Sequence, residues 1–338
     1  MGSAPVLAEV TRSGRVESVH RGAIAVADAR GRLVAQVGDP GLRAYFRSAA
    51  KPIQLLPLVE SGAADRLGLG PRELAVAAAS HSGSPAQVAA VATVLERAGL
   101  DASALACGYQ EPRNRQSLAR TLAAPGADRS AIYNNCSGKH AAMLALARSL
   151  EAPALGYLDP VHPAQARILA RTRELAGIGP EAAHFGVDGC SAPTLHATLA
   201  QMAMAFGRLA AAARPAGAPA ARIQAAMVAH PDMLGEPASF NSVLVQVLGD
   251  RLLAKLGAEG MFCVAIPTAE LGLALKIEDG GSRALGSVVL EALIQLGIVT
   301  PNELGPLAGH HRPVLKNWRE TSIGELRPAF VLARLSGS

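Results

Sequence analysis

The chain has 338 residues, a net charge of +5 and a pI near 9.3, and half of it is hydrophobic against 17% charged and 3% aromatic. That composition excludes a disordered or fibrous chain and implies a globular interior packed from Ala, Val, Leu and Gly. Lys and Arg are scattered, without a basic run interleaved with Tyr or Phe, so nucleic acid is not the expected partner.

No apolar run reaches the ~18 residues of a spanning helix, and Met1 to Val10 lacks a charged segment followed by an apolar one, so a cytoplasmic location without membrane contact is expected. Cys107, Cys136, Cys190 and Cys263 are too sparse for a disulfide framework and read as thiols or metal ligands.

Leu7 to Val37 alternates and is rich in β-branched residues, with turn signals at Arg12-Ser13-Gly14-Arg15 and Asp28-Ala29-Arg30-Gly31, which predicts an antiparallel meander. Ser48 precedes a helical pattern from Ala49 through Glu60 that tolerates Pro52 in its first turn. Helical patterns follow at Pro85 to Ala98, Lys139 to Leu150, Pro163 to Ala176, Ala192 to Ala213 and Ala221 to Ala229. Ala210 to Ala220, with three Pro or Gly residues among alanines, reads as a loop. Phe262 to Ile266 and Leu271 to Ile277 read as paired strands before a helix from Ser282 to Leu296. The expected fold class is therefore α/β, with one antiparallel sheet built from both termini around a helical middle.

Ser48-Ala49-Ala50-Lys51 is an SxxK arrangement, and spacing of three at a helix start puts the hydroxyl and the amine on one face. A serine hydroxyl attacks poorly until a base takes its proton, and lysine serves as that base only when burial or nearby positive charge lowers its pKa. Alone the motif is weak, and an N-cap with a solvated lysine reads equally simply. Ser80-His81-Ser82-Gly83 ends the apolar run Leu74 to Ala79, where a turn with Ser80 or Ser82 capping the next helix is the simplest reading.

Cys136 and Cys190 each stand before a helical pattern, where a thiolate is favoured, and zinc would accept both. His140 is the better third ligand on chemical grounds, because Lys139 must first lose a proton. Lys255 to Gly260 reads as a glycine-rich turn, and His230-Pro231-Asp232-Met233 as a turn able to orient a substrate.

Together, Arg47 to Pro52, Ser80 to Gly83, Asn134 to His140, Asp188-Gly189-Cys190, His230 to Met233 and Lys255 to Gly260 resemble the asparaginase II family, the rhizobial-type or class 3 asparaginases, from about Val6 to Gly324. The resemblance implies a single catalytic domain over residues 5–330 with room for two lobes, a fold like serine β-lactamases and glutaminases, a homodimer, and hydrolysis of L-asparagine to aspartate and ammonia. It implies two serine-lysine pairs, Ser48 with Lys51 and Ser80 with Lys255. It also implies zinc on Cys136, Lys139 and Cys190 with Asp188 close by, which displaces His140 as ligand and leaves it beside the substrate. Arg47 is the candidate partner of a substrate carboxylate.

The chain departs from the family at Tyr109-Gln110 and at Asn241, where an amide replaces an acid, so substrate choice is open. Ser48 is expected to attack, with Ser80 and Lys255 relaying protons, although Ser80 is an alternative nucleophile. A zinc-hydroxide amidohydrolase and a non-catalytic zinc-binding protein are the rival readings.

Overall fold

The computed structural model describes residues 4–123 and 129–335. The N-terminal meander is present as β1 (Val6–Arg12), β2 (Arg15–Asp28) and β3 (Leu33–Val37). Ser13 and Gly14 join the first two strands with φ of 48° and 80°, the paired left-handed conformation that a two-residue hairpin turn requires. The second sheet, described below, contributes β4 (Arg43–Tyr45), β5 (His184–Val187) and β6 (Pro193–Thr198). From the C-terminal third come β7 (Leu253–Leu256), β8 (Met261–Ile266), β9 (Leu271–Ile277), β10 (Val314–Lys316), β11 (Ser322–Pro328) and β12 (Ala333–Arg334).

The large sheet has nine strands in the order β10-β11-β1-β2-β9-β8-β7, with β3 beside β2 and β12 beside β3, and all pairs are antiparallel. Strand β2 is its spine. One edge of β2 carries β9, while the other carries β1 along its first half and β3 along its second. The expected architecture holds: the two termini build one antiparallel sheet, and helices fill the middle of the chain.

One expected element is corrected. The run Ala192 to Ala213 is not a single helix, because Pro193–Thr198 forms β6 at the centre of a three-stranded sheet, β4-β6-β5. The helix starts at Leu199 and runs to Ala212, capped by Thr198, whose hydroxyl accepts the Gln201 N–H while the Gln201 side chain returns to the Thr198 N–H. The boundary is marked in the sequence by Thr198-Leu199-Ala200-Gln201, and the Pro and Thr residues before it are poor helix formers. Cys190 consequently lies in the turn between β5 and β6, not at a helix N-terminus.

The helix Leu199–Ala212 lies on β2, β8 and β9 at backbone distance. A Cβ added to Gly272 of β9 would sit 2.0 Å from the Ala203 carbonyl oxygen and 2.2 Å from the Gly207 nitrogen. On the other side, the helix Ser137–Ser149 is buried along almost its whole length among the helices Lys51–Glu60, Pro71–Ala78 and Pro85–Arg97. Gly138 admits it there, since a Cβ would come 2.3 Å from the Val76 carbonyl oxygen. Among the described residues no helix is long and apolar enough to cross a membrane.

Gly272→Ala should therefore cost about 3 kcal/mol in urea unfolding. Gly179→Ala, where an added Cβ meets nothing within 4 Å, should change stability by less than about 0.5 kcal/mol. Equal effects at the two positions would contradict the close helix-on-sheet packing.

Candidate active site

Residues Arg47–Ala50 form a 3-10 turn that runs directly into the helix Lys51–Glu60. Ser48 does not cap it: no side-chain cap is present at this helix start, and the Ser48 hydroxyl takes part in no hydrogen bond among the described residues. Arg47 holds φ of 50°, a conformation that costs a residue with a long side chain on the order of 1 kcal/mol or more. The surroundings impose it. The Phe46 N–H donates to the Leu195 carbonyl at 3.0 Å and the Arg47 N–H donates to Thr194 Oγ1 at 3.1 Å, so β6 fixes the backbone that presents Ser48.

Lys51 is fully buried, as the general-base reading requires and the solvated-lysine reading forbids. Its Nζ donates to the Ala79 carbonyl at 2.6 Å and the Asn135 carbonyl at 3.1 Å, and lies 3.0 Å from Ser80 Oγ. Lys255 comes from β7, a strand position and not the glycine turn that the sequence suggested. Its Nζ lies 2.9 Å from Ser80 Oγ and donates to the Leu256 carbonyl at 2.7 Å. One hydroxyl thus stands between two buried amines. No hydrogen bond joins Ser48 to Lys51 among the described residues, so the residue that Lys51 touches directly is Ser80.

Burial pushes both amines below the ordinary lysine range; for Lys255 the neighbouring Lys51 charge adds to it, while for Lys51 the Cys136 sulfur partly opposes it. The three partners of Lys51 match the three N–H groups of an ammonium, while a neutral amine would give its two N–H groups to the carbonyls and turn its lone pair to Ser80, so the contacts by themselves assign neither state.

His81 and Gln87 hold the Ser80 loop in place. His81 Nδ1 accepts the Gly83 N–H at 3.0 Å, so Nε2 carries the proton and donates to Ser137 Oγ at 2.8 Å. Burial, with Lys51 nearby, lowers the His81 pKa to about 3 and keeps the ring neutral. The capping residue of the next helix is Ser84, not Ser80 or Ser82. Gln87 accepts from the Ser82 and Ser84 N–H groups and donates to the Asp232 and Gly235 carbonyls, which ties this loop to the His230 to Met233 segment. Gln87 was missed as a site residue, although Ser84-x-x-Gln87 is a legible capping box.

The expected metal residues converge in part. Cys136 is the N-cap of the helix Ser137–Ser149, and the Lys139 Nζ lies 3.0 Å from Cys190 Sγ and 4.0 Å from Asp188 Oδ2. The Cys136 thiol is held well below its ordinary range by the neighbouring Cys190 thiol and by the Lys51 and Lys139 charges, against burial, while Cys136 and burial push the Cys190 thiol up. Despite burial, the two sulfurs and Asp188 keep Lys139 charged. Among the described residues no three His, Cys, Asp or Glu side chains form a metal cluster, and the third donor that the resemblance implies is Lys139. Two sulfurs and one amine form a donor set that zinc accepts.

Ser48, Arg47, Asn135, Cys136, Asp188 and Cys190 line an open cleft of about 360 Å³. Arg47 Nε donates to Asp188 Oδ1 at 2.6 Å, so the arginine expected to meet a substrate carboxylate already has a protein carboxylate. Burial opposes the Asp188 charge, but Lys139 and Arg47 outweigh it and hold its pKa below the usual value. Tyr109 and Gln110 line the same cleft, and Gln110 Oε1 accepts the Asn135 N–H at 3.0 Å.

His140 is not among the residues lining this cleft. It is fully buried with Nδ1 2.6 Å from the Tyr157 hydroxyl, and burial, with the Lys139 and Lys51 charges, holds the ring neutral. Asn241 lies across Ser80 in a second cavity of about 90 Å³, with its Oδ1 accepting the Leu256 N–H at 2.9 Å. Arg113, which the sequence reading passed over, lines both cavities. No motif marks it.

No curated protein matches the chain. Among solved structures, the native form of Mglu is 16% identical with a TM-score of 0.46, covering 84% of this chain and 66% of that one. A β-lactamase from Mycobacterium bovis is 17% identical with a TM-score of 0.41, covering 86% of this chain and 96% of that one. A Bacillus glutaminase is 14% identical with a TM-score of 0.39, covering 82% of this chain and 92% of that one. This chain spans just under two thirds of Mglu, and likenesses this weak carry no argument about activity. The sequence profile of L-asparaginase II, however, matches residues 8–328. The chain belongs to the L-asparaginase II family.

Proposed function

We propose that the chain hydrolyses the side-chain amide of L-asparagine, releasing aspartate and ammonia, by a serine-lysine mechanism. Family membership makes it an amidohydrolase. The observation that carries the finer reading is the Ser80 hydroxyl within 3.0 Å of both the Lys51 and Lys255 amines, beside the cleft that holds Ser48. Ser48 Oγ attacks the amide carbonyl and its proton passes to the Lys51 amine, which for this step is neutral and turned from Ser80 toward Ser48. The oxyanion meets backbone donors at the start of the 3-10 turn, where the Ser48 N–H makes no hydrogen bond among the described residues. The proton then travels from Lys51 through Ser80 to the amide nitrogen, which leaves as ammonia. Water hydrolyses the acyl-enzyme by the reverse relay, with Lys255 keeping Ser80 oriented.

A second reading, favoured by the direct contact of Lys51 with Ser80, makes Ser80 the nucleophile. In the first reading Ser48→Ala loses about 10⁴-fold or more in kcat, whereas Ser80→Ala loses about 10²- to 10⁴-fold, as removal of a proton relay does. Ammonia release and trapping of the acyl-enzyme decide between them: a covalent adduct on Ser80 assigns the attack to it.

The proposed zinc would be held by Cys136, Cys190 and Lys139, and when bound it supplies positive charge beside the Ser48 cleft. The resemblance also supports a homodimer. Since zinc must displace protons from Lys139 and the thiols, its affinity should fall as pH falls. Elemental analysis after gel filtration should find one zinc per chain in the native protein and none in Cys136→Ala or Cys190→Ala. Equal metal in all three would remove these cysteines from the site.

The lysines also set a sign for stability. Lys255 has a folded pKa below its unfolded value of about 10.4, so between the two the unfolded chain binds more protons and stability rises with pH. Lys255→Met should lack that slope and be more stable at neutral pH by on the order of 1 kcal/mol, while losing activity. Urea unfolding across neutral to alkaline pH measures it; a destabilised methionine variant would contradict the cost assigned to the buried amine.

A further inference from the structure

The smaller cavity behind Ser80 contains a feature that the serine-lysine chemistry does not use. Of the residues that line it, Glu236 is the one carboxylate, and the lining also includes Ser80, Arg113, Asn241 and Lys255. Glu236 Oε1 is buried and has no hydrogen-bond partner among the described residues, and no ion pair there joins Glu236 to Arg113 or Lys255. Lys255 is engaged with Ser80 and the Leu256 carbonyl, and the Asn241 oxygen is engaged with the Leu256 N–H. The segment is pinned where it is. Gln87 Nε2 donates to the Asp232 carbonyl at 2.8 Å and the Gly235 carbonyl at 2.9 Å, and a Cβ on Gly235 would lie 3.7 Å from the Ser80 carbonyl oxygen.

A carboxylate oxygen withdrawn from water without a donor is costly, and a ligand that brings a charged donor removes the cost. A neutral amide N–H would supply the hydrogen bond and leave the charge, whereas a primary ammonium supplies both. We infer that Glu236 accepts the ammonium group of the substrate, which makes the cavity behind Ser80 a site for the head of a free α-amino acid carboxamide. Arg113, at the wall shared with the Ser48 cleft, is placed for the carboxylate of that same head. This rests on the amide-hydrolase reading for its substrate, but its test does not need turnover.

L-Aspartate and succinate differ in the α-ammonium group alone, and titration calorimetry of each against the full-length protein reads its contribution. The wild type should bind L-aspartate about tenfold or more tightly than succinate, and Glu236→Gln should bring the two within about twofold. Glu236→Asp, which keeps the charge, should retain part of the preference. The inference is overturned if the wild type shows no preference, if Glu236→Gln preserves it, or if that variant weakens both ligands equally, as a structural role would. Ammonia release from L-asparagine is measured alongside. An intact binding preference without ammonia would defeat the hydrolase reading and leave Glu236 in its role, while ammonia release with an unchanged preference in Glu236→Gln would do the reverse.

Discussion

The constraint on which the rest of the site depends is the burial of two lysine amines against one serine hydroxyl. Two ammonium groups that close, out of water and without a carboxylate between them, repel each other and lose their hydration. Removing a proton relieves both costs, so the fold itself makes a base of a side chain that is ordinarily an acid at neutral pH. Holding that arrangement costs stability that the large alanine- and leucine-rich core offsets. The groups that touch the amines are held in place: Lys51 has three partners, and the His81 ring is fixed in one tautomer by the Gly83 N–H.

Three parts of the chain must meet for this to happen, and each is delivered by a different element. The start of the helix at Lys51 brings Ser48 and Lys51, the loop after the helix Pro71–Ala78 brings Ser80, and the edge strand β7 brings Lys255. Backbone contacts that only glycine permits, at Gly138 against Val76 and at Gly272 against Ala203, let the helical and sheet layers close to the distance at which those side chains touch. The cysteine group lines the same cleft as Ser48. Through Lys139, Asp188 and Arg47 it is linked by charge to the turn that presents Ser48.

Much of the fold was readable from local chemistry. The turn at Ser13-Gly14 and the alternation around it placed β1 and β2, and the two C-terminal strands were bounded by their Pro and Gly neighbours. The strand β6 (Pro193–Thr198) owes its extended form to pairing with β4 and β5, while the capping box Thr198-x-x-Gln201 marks in the sequence the helix start that the longer helical expectation overruns. The site followed the same division. Spacing put Ser48 and Lys51 on one helix face, but nothing local says that the amine turns to Ser80, since that contact depends on how two elements pack. His140 follows a motif residue and is nevertheless committed to Tyr157 in the interior. Glu236 lies in a loop with no pattern around it, and only its unmatched burial marks it.

The central claim concerns protonation, so the most direct measurement follows the Lys51 and Lys255 nitrogens themselves. With ¹⁵N-labelled lysine and the two signals assigned by Lys51→Met and Lys255→Met, a pH titration by NMR reads each amine. At neutral pH the account requires at least one of the two to be a neutral amine, with a pKa well below the ordinary lysine value of about 10.4. Two ammonium signals persisting to that ordinary value would contradict it, and with it the role of the buried amines as the bases of the reaction.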